Sequence, residues 1–457
     1  MTPVHDSLAE FIARQRWFAG GEGPVQVVGV HRLAALSADP LVEVFLVDVT
    51  SASDPPDTEP ATYQVLVETT DHLVERLEHV RISPSPADVD PVVETFQYDA
   101  LHDREVTGLL LRLIADGARS GDLACYRVEG APIELDRPSL VFTGEQSNTS
   151  LAYGDSMVLK VYRRVVPGVN PDVEVHVALA QVGCPHVPRP LGWVDSAYGV
   201  LAFLQEYLSG ATEGWGTAQA SVRDLFVEAD LHPAECGGDF GAEAERLGVT
   251  TAEVHAALRE AFGVGELSPG ELSARVDLMR RRLSAAVDEV PALVPYAGQL
   301  TRAYDELAAL GGDGRPMQVQ RVHGDFHLGQ TLRTPSGWKI LDFEGEPATP
   351  VADRRALDTP LRDVAGMLRS LDYAARIVLL DHPGDSQLAY RAAEWVDHNA
   401  NAFCEGYASV TGHDPRGDLV LLRALETEKA VYEVVYESRM RPTWATIPMA
   451  AIERLAR

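Results

Sequence analysis

An aspartate in a tight polar turn, a carboxamide five positions later and a second aspartate ending an apolar run constrain this chain more than any other feature. They stand in His323-Gly324-Asp325-Phe326-His327-Leu328-Gly329-Gln330 and Trp338-Lys339-Ile340-Leu341-Asp342-Phe343-Glu344, with Asp342 seventeen positions beyond Asp325. Phosphoryl transfer from ATP needs this layout. The first carboxylate orients an acceptor hydroxyl and takes its proton, while the carboxamide and the second carboxylate hold magnesium against the phosphates. Either motif alone also suits aspartates that cap turns in an unrelated α/β protein; the pair at this spacing favours phosphoryl transfer.

The chain has room for the two lobes such chemistry uses, since 457 residues allow two to four domains at about 150 residues each. Its formal charge of −29 repels nucleic-acid backbones and anionic membrane surfaces, so the expected partners are small molecules. No stretch approaches the ~20 apolar residues of a membrane span. The N-terminus, Met1-Thr2-Pro3-Val4-His5-Asp6, has no basic segment leading into an apolar one, so the expected location is the cytoplasm. Cys125, Cys184, Cys236 and Cys404 lack zinc-site spacings and read as reduced thiols.

Along the chain, residues 1–95 read as a cap with sheet character. A short amphipathic helix (Leu8–Phe18) precedes the β-rich runs Leu41–Val47 and Tyr63–Val67, and the breaks Asp48–Pro60 and Ser83-Pro84-Ser85-Pro86 interrupt them. Residues 96–208 carry a helix from Glu105 to Asp116, strands at Leu140–Thr143, Ser150–Tyr153, Met157–Tyr162 and Leu201–Tyr207, and a helix from Pro171 to Val182. From 209 to 457 the pattern is mainly helical, as in Thr251–Phe262, Gly270–Val287 and Asp418–Arg439. The Gly- and Ala-containing stretch Glu213–Gly248 reads as mobile loops.

These motifs resemble the catalytic loop and metal motif of the kinase-like phosphotransferases, in the group with the aminoglycoside phosphotransferases. More narrowly, Gln320–Asp325, Asp342–Pro347, Leu361-Arg362-Asp363-Val364-Ala365-Gly366-Met367 and Lys429-Ala430-Val431-Tyr432-Glu433 resemble bacterial maltokinases and their relatives, which include glucosamine kinases. The likeness runs from Arg14-Gln15-Arg16-Trp17-Phe18-Ala19-Gly20 to Arg441-Pro442-Thr443-Trp444. It implies an α+β, bilobal protein-kinase-like fold with an added N-terminal cap. Two departures stand out. Gln330 replaces the Asn of most relatives and reaches one methylene further, and Glu344 replaces the Gly of protein kinases, so the metal loop should not flip as a switch.

Lys160 lies inside the apolar strand Met157-Val158-Leu159-Lys160-Val161-Tyr162, where a charge is costly unless paired. By resemblance it is the kinase strand lysine, holding an ATP phosphate, with Glu174 as its ion-pair partner. Without a Gly-x-Gly-x-x-Gly pattern, the loop Gln146–Ser150 would hold phosphates through backbone N–H groups and the side chains of Ser147, Asn148 and Thr149. The strand Val200–Leu208 would end at the hinge, with Glu206 and Leu208 reading adenine through their main chain. Asp363 begins a helix and reads as a cap; by resemblance it would also brace the catalytic loop, with His323 and His327 as structural members of it.

Lys429, Tyr432, Tyr436 and Arg439 recur at spacings of three, four and three, one stripe of a helix, with Val431 and Val434 opposite. Such a stripe is either the face of a partly exposed amphipathic helix or a cleft wall that binds sugar hydroxyls; the resemblance to maltokinases implies the second, and Glu433 and Glu437 beside it could hold a cationic substituent. The expected function is therefore an ATP- and magnesium-dependent sugar kinase. Its acceptor would be maltose, giving maltose 1-phosphate, or glucosamine, giving glucosamine 6-phosphate. The rivals are an aminoglycoside-type antibiotic phosphotransferase, against which the Lys429/Arg439 pair argues, and a catalytically silent binding module.

Overall fold

Alternation of apolar residues along Leu41–Ser51 gives that strand two buried faces. On one, Val47 and Val49 join Tyr63, Val65 and Val67 of the neighbouring strand Ala61–Thr70 and pack with Leu8, Phe11, Ile12 and Trp17 at the N-terminus. On the other, Val42, Val44, Leu46 and Leu66 share a core with Val106, Leu110, Leu111 and Ile114 of the helix Arg104–Ala115. Asp103 caps that helix by accepting the Glu105 N–H at 2.7 Å, a bond of the kind worth about 1 kcal/mol. The computed structural model describes residues 2–18, 23–52, 58–82, 95–142, 144, 147–228, 231–311, 316–346, 349 and 351–457.

Two units divide the chain: Met1–Glu174 with Pro188–Ser209, and Val175–Val187 with Gly210–Arg457. Among the described residues the first holds two sheets. A five-stranded sheet begins with the antiparallel pair Val25–Ala38 and Leu41–Ser51, continues through Ala61–Thr70, and takes Arg164–Val165 and Phe96–Asp99 as further partners of that last strand. A seven-stranded sheet runs in the order Arg119–Ser120, Leu123–Arg127, Pro190–Ser196, Gly199–Glu206, Met157–Tyr162, Asn148–Tyr153, Ser139–Val141. Arg163 ties them together. Its buried guanidinium pairs with Asp99, donates to Thr149 Oγ1 at 2.8 Å and lies over the Trp17 ring at 5.0 Å.

The second unit is mostly helical, with the helices Gly214–Val227, Gly241–Phe262, Pro269–Glu289, Ala297–Gly311, Leu361–Leu379, Ser386–Thr411, Leu419–Met440 and Thr446–Leu455 around Phe240, Trp338, Trp395 and Phe403. A small sheet, Thr212–Glu213 with Thr331–Thr334 and Gly337–Ile340, and the ribbon Val264–Leu267 with Met317–Gln320 carry the catalytic segments.

One expectation fails outright. Glu213–Gly248 was expected to be loose, yet Gly214–Val227 is a helix burying Ala218, Val222 and Leu225, and Gly248 lies inside another. The small residues there serve close packing: a Cβ on Gly248 would strike the backbone of Phe403, and one on Gly406 would strike that of Glu245. The N-terminal helix spans Thr2–Ala13 and stops short of Trp17. Ser83–Pro86, Ala19, Gly20, Thr143, Glu145, Gln146, Pro347 and part of Asp48–Pro60 lie outside the described residues. No described helix is long and apolar enough to cross a membrane.

Candidate active site

The strand Met317–Gln320 delivers the chain to His323, and the carboxylate of Asp363, at the start of the helix Leu361–Leu379, holds the turn that follows. Asp363 accepts the N–H groups of His323 at 2.8 Å and Gly324 at 2.9 Å, and pairs with His255 Nε2 at 2.9 Å. Burial works to raise its pKa, but these partners outweigh it and hold the carboxyl below the usual aspartate range. His323 Nε2–H donates to the Leu341 carbonyl at 2.8 Å, leaving Nδ1 to accept the Asp325 N–H at 3.3 Å. His327 Nδ1 accepts the Gly329 N–H at 3.1 Å and so caps the short turn Leu328–Gln330. Burial lowers the pKa of His327, which favours the neutral ring this cap requires.

Gln330 leaves that turn with its amide nitrogen 3.3 Å from Asp342 Oδ2, so the carboxamide and second carboxylate singled out in the sequence stand side by side. Asp342 has φ 61°, the single non-glycine residue in the left-handed region among the described residues. An aspartate tolerates that conformation at some cost, and backbone strain of this kind concentrates at functional sites. Glu344 offers a carboxylate oxygen within 4.8 Å of one from Asp342.

Asp325 is half-buried, and Lys429 Nζ, from the middle of the helix Leu419–Met440, donates to its Oδ1 at 3.0 Å and to Glu346 Oε1 at 3.1 Å. Burial pushes the Asp325 carboxyl up, whereas the adjacent Lys429 ammonium, foremost among the opposing groups, pulls it down further, and the net result lies below the usual aspartate range. Lys429, Glu346 and Tyr432 line a cavity of about 320 Å³ that also takes in Tyr304, Glu289 and Arg439. Burial, then the Glu346 charge, pushes the Tyr432 phenol up to about 12, and its ring stacks on Tyr436 with centroids 6.2 Å apart.

Other members of the expected acceptor stripe are already engaged. Arg439 forms a two-pronged ion pair with Glu289 at 2.5 and 2.6 Å. Glu433 accepts from Arg369 at 2.6 and 3.2 Å, both through Oε2. Glu437, expected beside the stripe to hold a cationic substituent, is buried and engaged in a cluster the sequence did not reveal: it accepts the Tyr373 hydroxyl at 2.5 Å and Arg441 at 2.6 and 2.9 Å, and Arg441 lies over the Trp444 ring at 4.1 Å. The carboxylate four residues before an arginine was the available signal.

In the other unit, Lys160 Nζ lies 3.4 Å from Asp172, which is 2 % exposed and also accepts the Tyr162 hydroxyl at 3.3 Å. Asp172, not singled out beforehand, precedes Glu174 by two positions in the first turn of the helix Pro171–Gln181. Thr149 is buried with its hydroxyl on Arg163, which removes that side chain from the phosphate-binding set expected of it; Ser147 is exposed and Asn148 half-exposed. At the expected hinge, the Glu206 N–H is spent on the Arg189 carbonyl at 2.9 Å, so Glu206 has no donor to offer. The Leu208 N–H has no hydrogen-bond partner among the described residues.

Comparison with known proteins identifies the family. Residues 140–410 match the phosphotransferase enzyme family and residues 11–103 match the maltokinase N-terminal cap domain. A glucosamine kinase of Streptacidiphilus jiangxiensis is 32 % identical over 385 residues, covering 78 % of this chain and 83 % of the relative. One from Mycolicibacterium smegmatis is 30 % identical over 328 residues, covering 68 % and 78 %. A solved glucosamine kinase in complex with glucosamine, ADP and inorganic phosphate shares the fold at TM-score 0.68, with 23 % identity and 99 % and 98 % of the two chains covered. The chain belongs to the phosphotransferase enzyme family and carries the maltokinase cap ahead of it. It is a kinase that phosphorylates an alcohol group, with the kinase-like α+β fold expected from its motifs.

Proposed function

We propose that this kinase transfers the γ-phosphoryl group of ATP to O6 of glucosamine. The observation that carries the reading is the partly buried Asp325, ionised and fixed beside a sugar-sized cavity lined by Lys429 and Tyr432. The two relatives named as glucosamine kinases support it. Asp325 orients the acceptor hydroxyl and takes its proton, and catalysis rests on positioning and charge neutralisation. Glu433 Oε1, one helical turn beyond Lys429, makes no hydrogen bond among the described residues and is assigned to the sugar's amine. On the nucleotide side we assign the phosphates to Lys160, steadied by Asp172 and Glu174, and to Ser147 and Asn148; the Leu208 N–H is assigned to the adenine edge.

Magnesium fits the chain's donors: the Asp342 carboxylate stands beside the Gln330 carboxamide, whose nitrogen faces it, and both groups carry a hard oxygen that could hold the ion. When bound, the ion neutralises charge on the phosphates. All four cysteines are free thiols, three of them buried, which suits a reducing compartment, and we assign the protein to the cytoplasm.

The test is a coupled ATP assay over glucosamine, maltose, glucose and a polycationic aminoglycoside, with the product identified by NMR. Glucosamine 6-phosphate is expected, with Tyr432→Ala raising KM for the sugar more than for ATP. Faster phosphorylation of maltose at its anomeric oxygen would replace glucosamine with the reading that the cap favours. Turnover of the aminoglycoside alone would remove the sugar-kinase reading.

A further inference from the structure

The geometry points to Lys429 and Glu346 as positioning residues for Asp325, a role separate from holding the acceptor. This rests on the reading of Asp325 as the group that orients the hydroxyl. The three side chains come from three segments: the catalytic loop, the loop after Asp342 and the helix Leu419–Met440. A lysine that only lined the cavity would be free to follow the sugar. Here two charge-assisted bonds, to Asp325 Oδ1 at 3.0 Å and Glu346 Oε1 at 3.1 Å, fix the ammonium from both sides. The consequence for Asp325 is selective. Lys429 occupies Oδ1, while Oδ2 has no hydrogen-bond partner among the described residues and is left to meet the hydroxyl.

Charge follows the same geometry. The ionisable groups acting on Asp325 are Lys429, His327 and His323, and those acting on Lys429 are Asp325, Glu346 and Glu433. Among the groups acting on Asp325, Lys429 is the strongest one opposing burial. Without it, a largely desolvated carboxylate would hold its proton to higher pH. Glu346 prevents the ammonium from swinging away between turnovers.

The experiment measures kcat, KM and their pH dependence for the full chain carrying Lys429→Met, Lys429→Arg and Glu346→Gln, beside Asp325→Asn. Lys429→Met is expected to lower kcat about 100-fold at neutral pH, the lower end of the range for acid–base groups. It should also move the acid limb up by about one pH unit, as loss of an adjacent opposite charge does, with KM for ATP changed less than threefold. Lys429→Arg restores the acid limb, and Glu346→Gln lowers kcat without moving it. If Lys429→Met folds too poorly to assay, Lys429→Gln is read by the same acid limb. A variant in which only the sugar KM rises, with kcat and acid limb unmoved, makes Lys429 an acceptor ligand and overturns the proposal. Full turnover in Asp325→Asn overturns the underlying assignment of Asp325 instead.

Discussion

Asp363 offers the sharpest perturbation of the catalytic turn, because one carboxylate that is 1 % exposed serves three donors from two other segments. Asp363→Ala strips the acceptor from the His323 and Gly324 N–H groups and from His255. Each buried donor left unsatisfied costs about 1–3 kcal/mol, and partial relaxation brings the total to about 4 kcal/mol. For a cooperative unit of roughly 250 residues that lowers the melting temperature by about 10 °C. Asp363→Asn keeps one oxygen and turns an amide donor toward another donor, so its loss is about half as large. Turnover should fall by about 100-fold in both, the scale of an ångström-sized misplacement of catalytic groups. The pH dependence is fixed in sign: the folded-state pKa is depressed, so the stabilisation is complete at neutral pH and is lost only as pH falls through that lowered value. Thermal melts at neutral and acidic pH together with steady-state kinetics decide it. An Asp363→Asn protein melting within 2 °C of wild type at neutral pH, with unchanged turnover, refutes the bracing role.

Gly366→Ala gains about 1 kcal/mol of helix propensity, but its Cβ would stand 2.5 Å from the Phe326 carbonyl in the catalytic loop. A net loss of about 1–3 kcal/mol in urea melts is expected, and a more stable variant would show that the loop yields freely. Asp342→Asn should keep the fold, since Asn tolerates the left-handed backbone, while magnesium-ATP binds more weakly by calorimetry; unchanged affinity contradicts a metal role. Thr149→Val takes an acceptor from the buried Arg163 and should cost about 1–3 kcal/mol with KM for ATP within twofold. A KM effect without destabilisation returns Thr149 to the nucleotide site.

What could be read from the sequence was local. Met157–Tyr162 is a short apolar run, enough to place Lys160 in a strand, and the His323–Gln330 and Trp338–Glu344 segments carry their turn chemistry in adjacent residues. Partners across elements could not be read in the same way. The helix after Asn170 carries carboxylates at 172 and 174, and the sequence does not show how that helix is rotated against the sheet; the structure places Asp172 3.4 Å from the lysine. Glu433 looks like a spare acid on a helix face until Arg369, 64 positions earlier, is folded against it. Glycine-rich composition misleads for a related reason: Gly248 and Gly406 signal looseness one residue at a time and close helix packing only as a pair.

The cavity's charge pattern follows from such long-range pairing and bears on what it admits. A chain of net charge −29 would ordinarily present acidic pockets that favour cations. Here Glu289 is paired with Arg439, Glu346 with Lys429, and Glu428 with both Arg282 and Arg362. The wall is therefore close to neutral, with its carboxylates held by fixed cations. A polycation entering it would gain little Coulombic attraction while meeting Lys429, whose position is set by Asp325. A neutral sugar, or one with a single amine read by a single carboxylate oxygen, meets hydrogen-bonding groups already oriented by their ion pairs, and little reorganisation is needed to bind it.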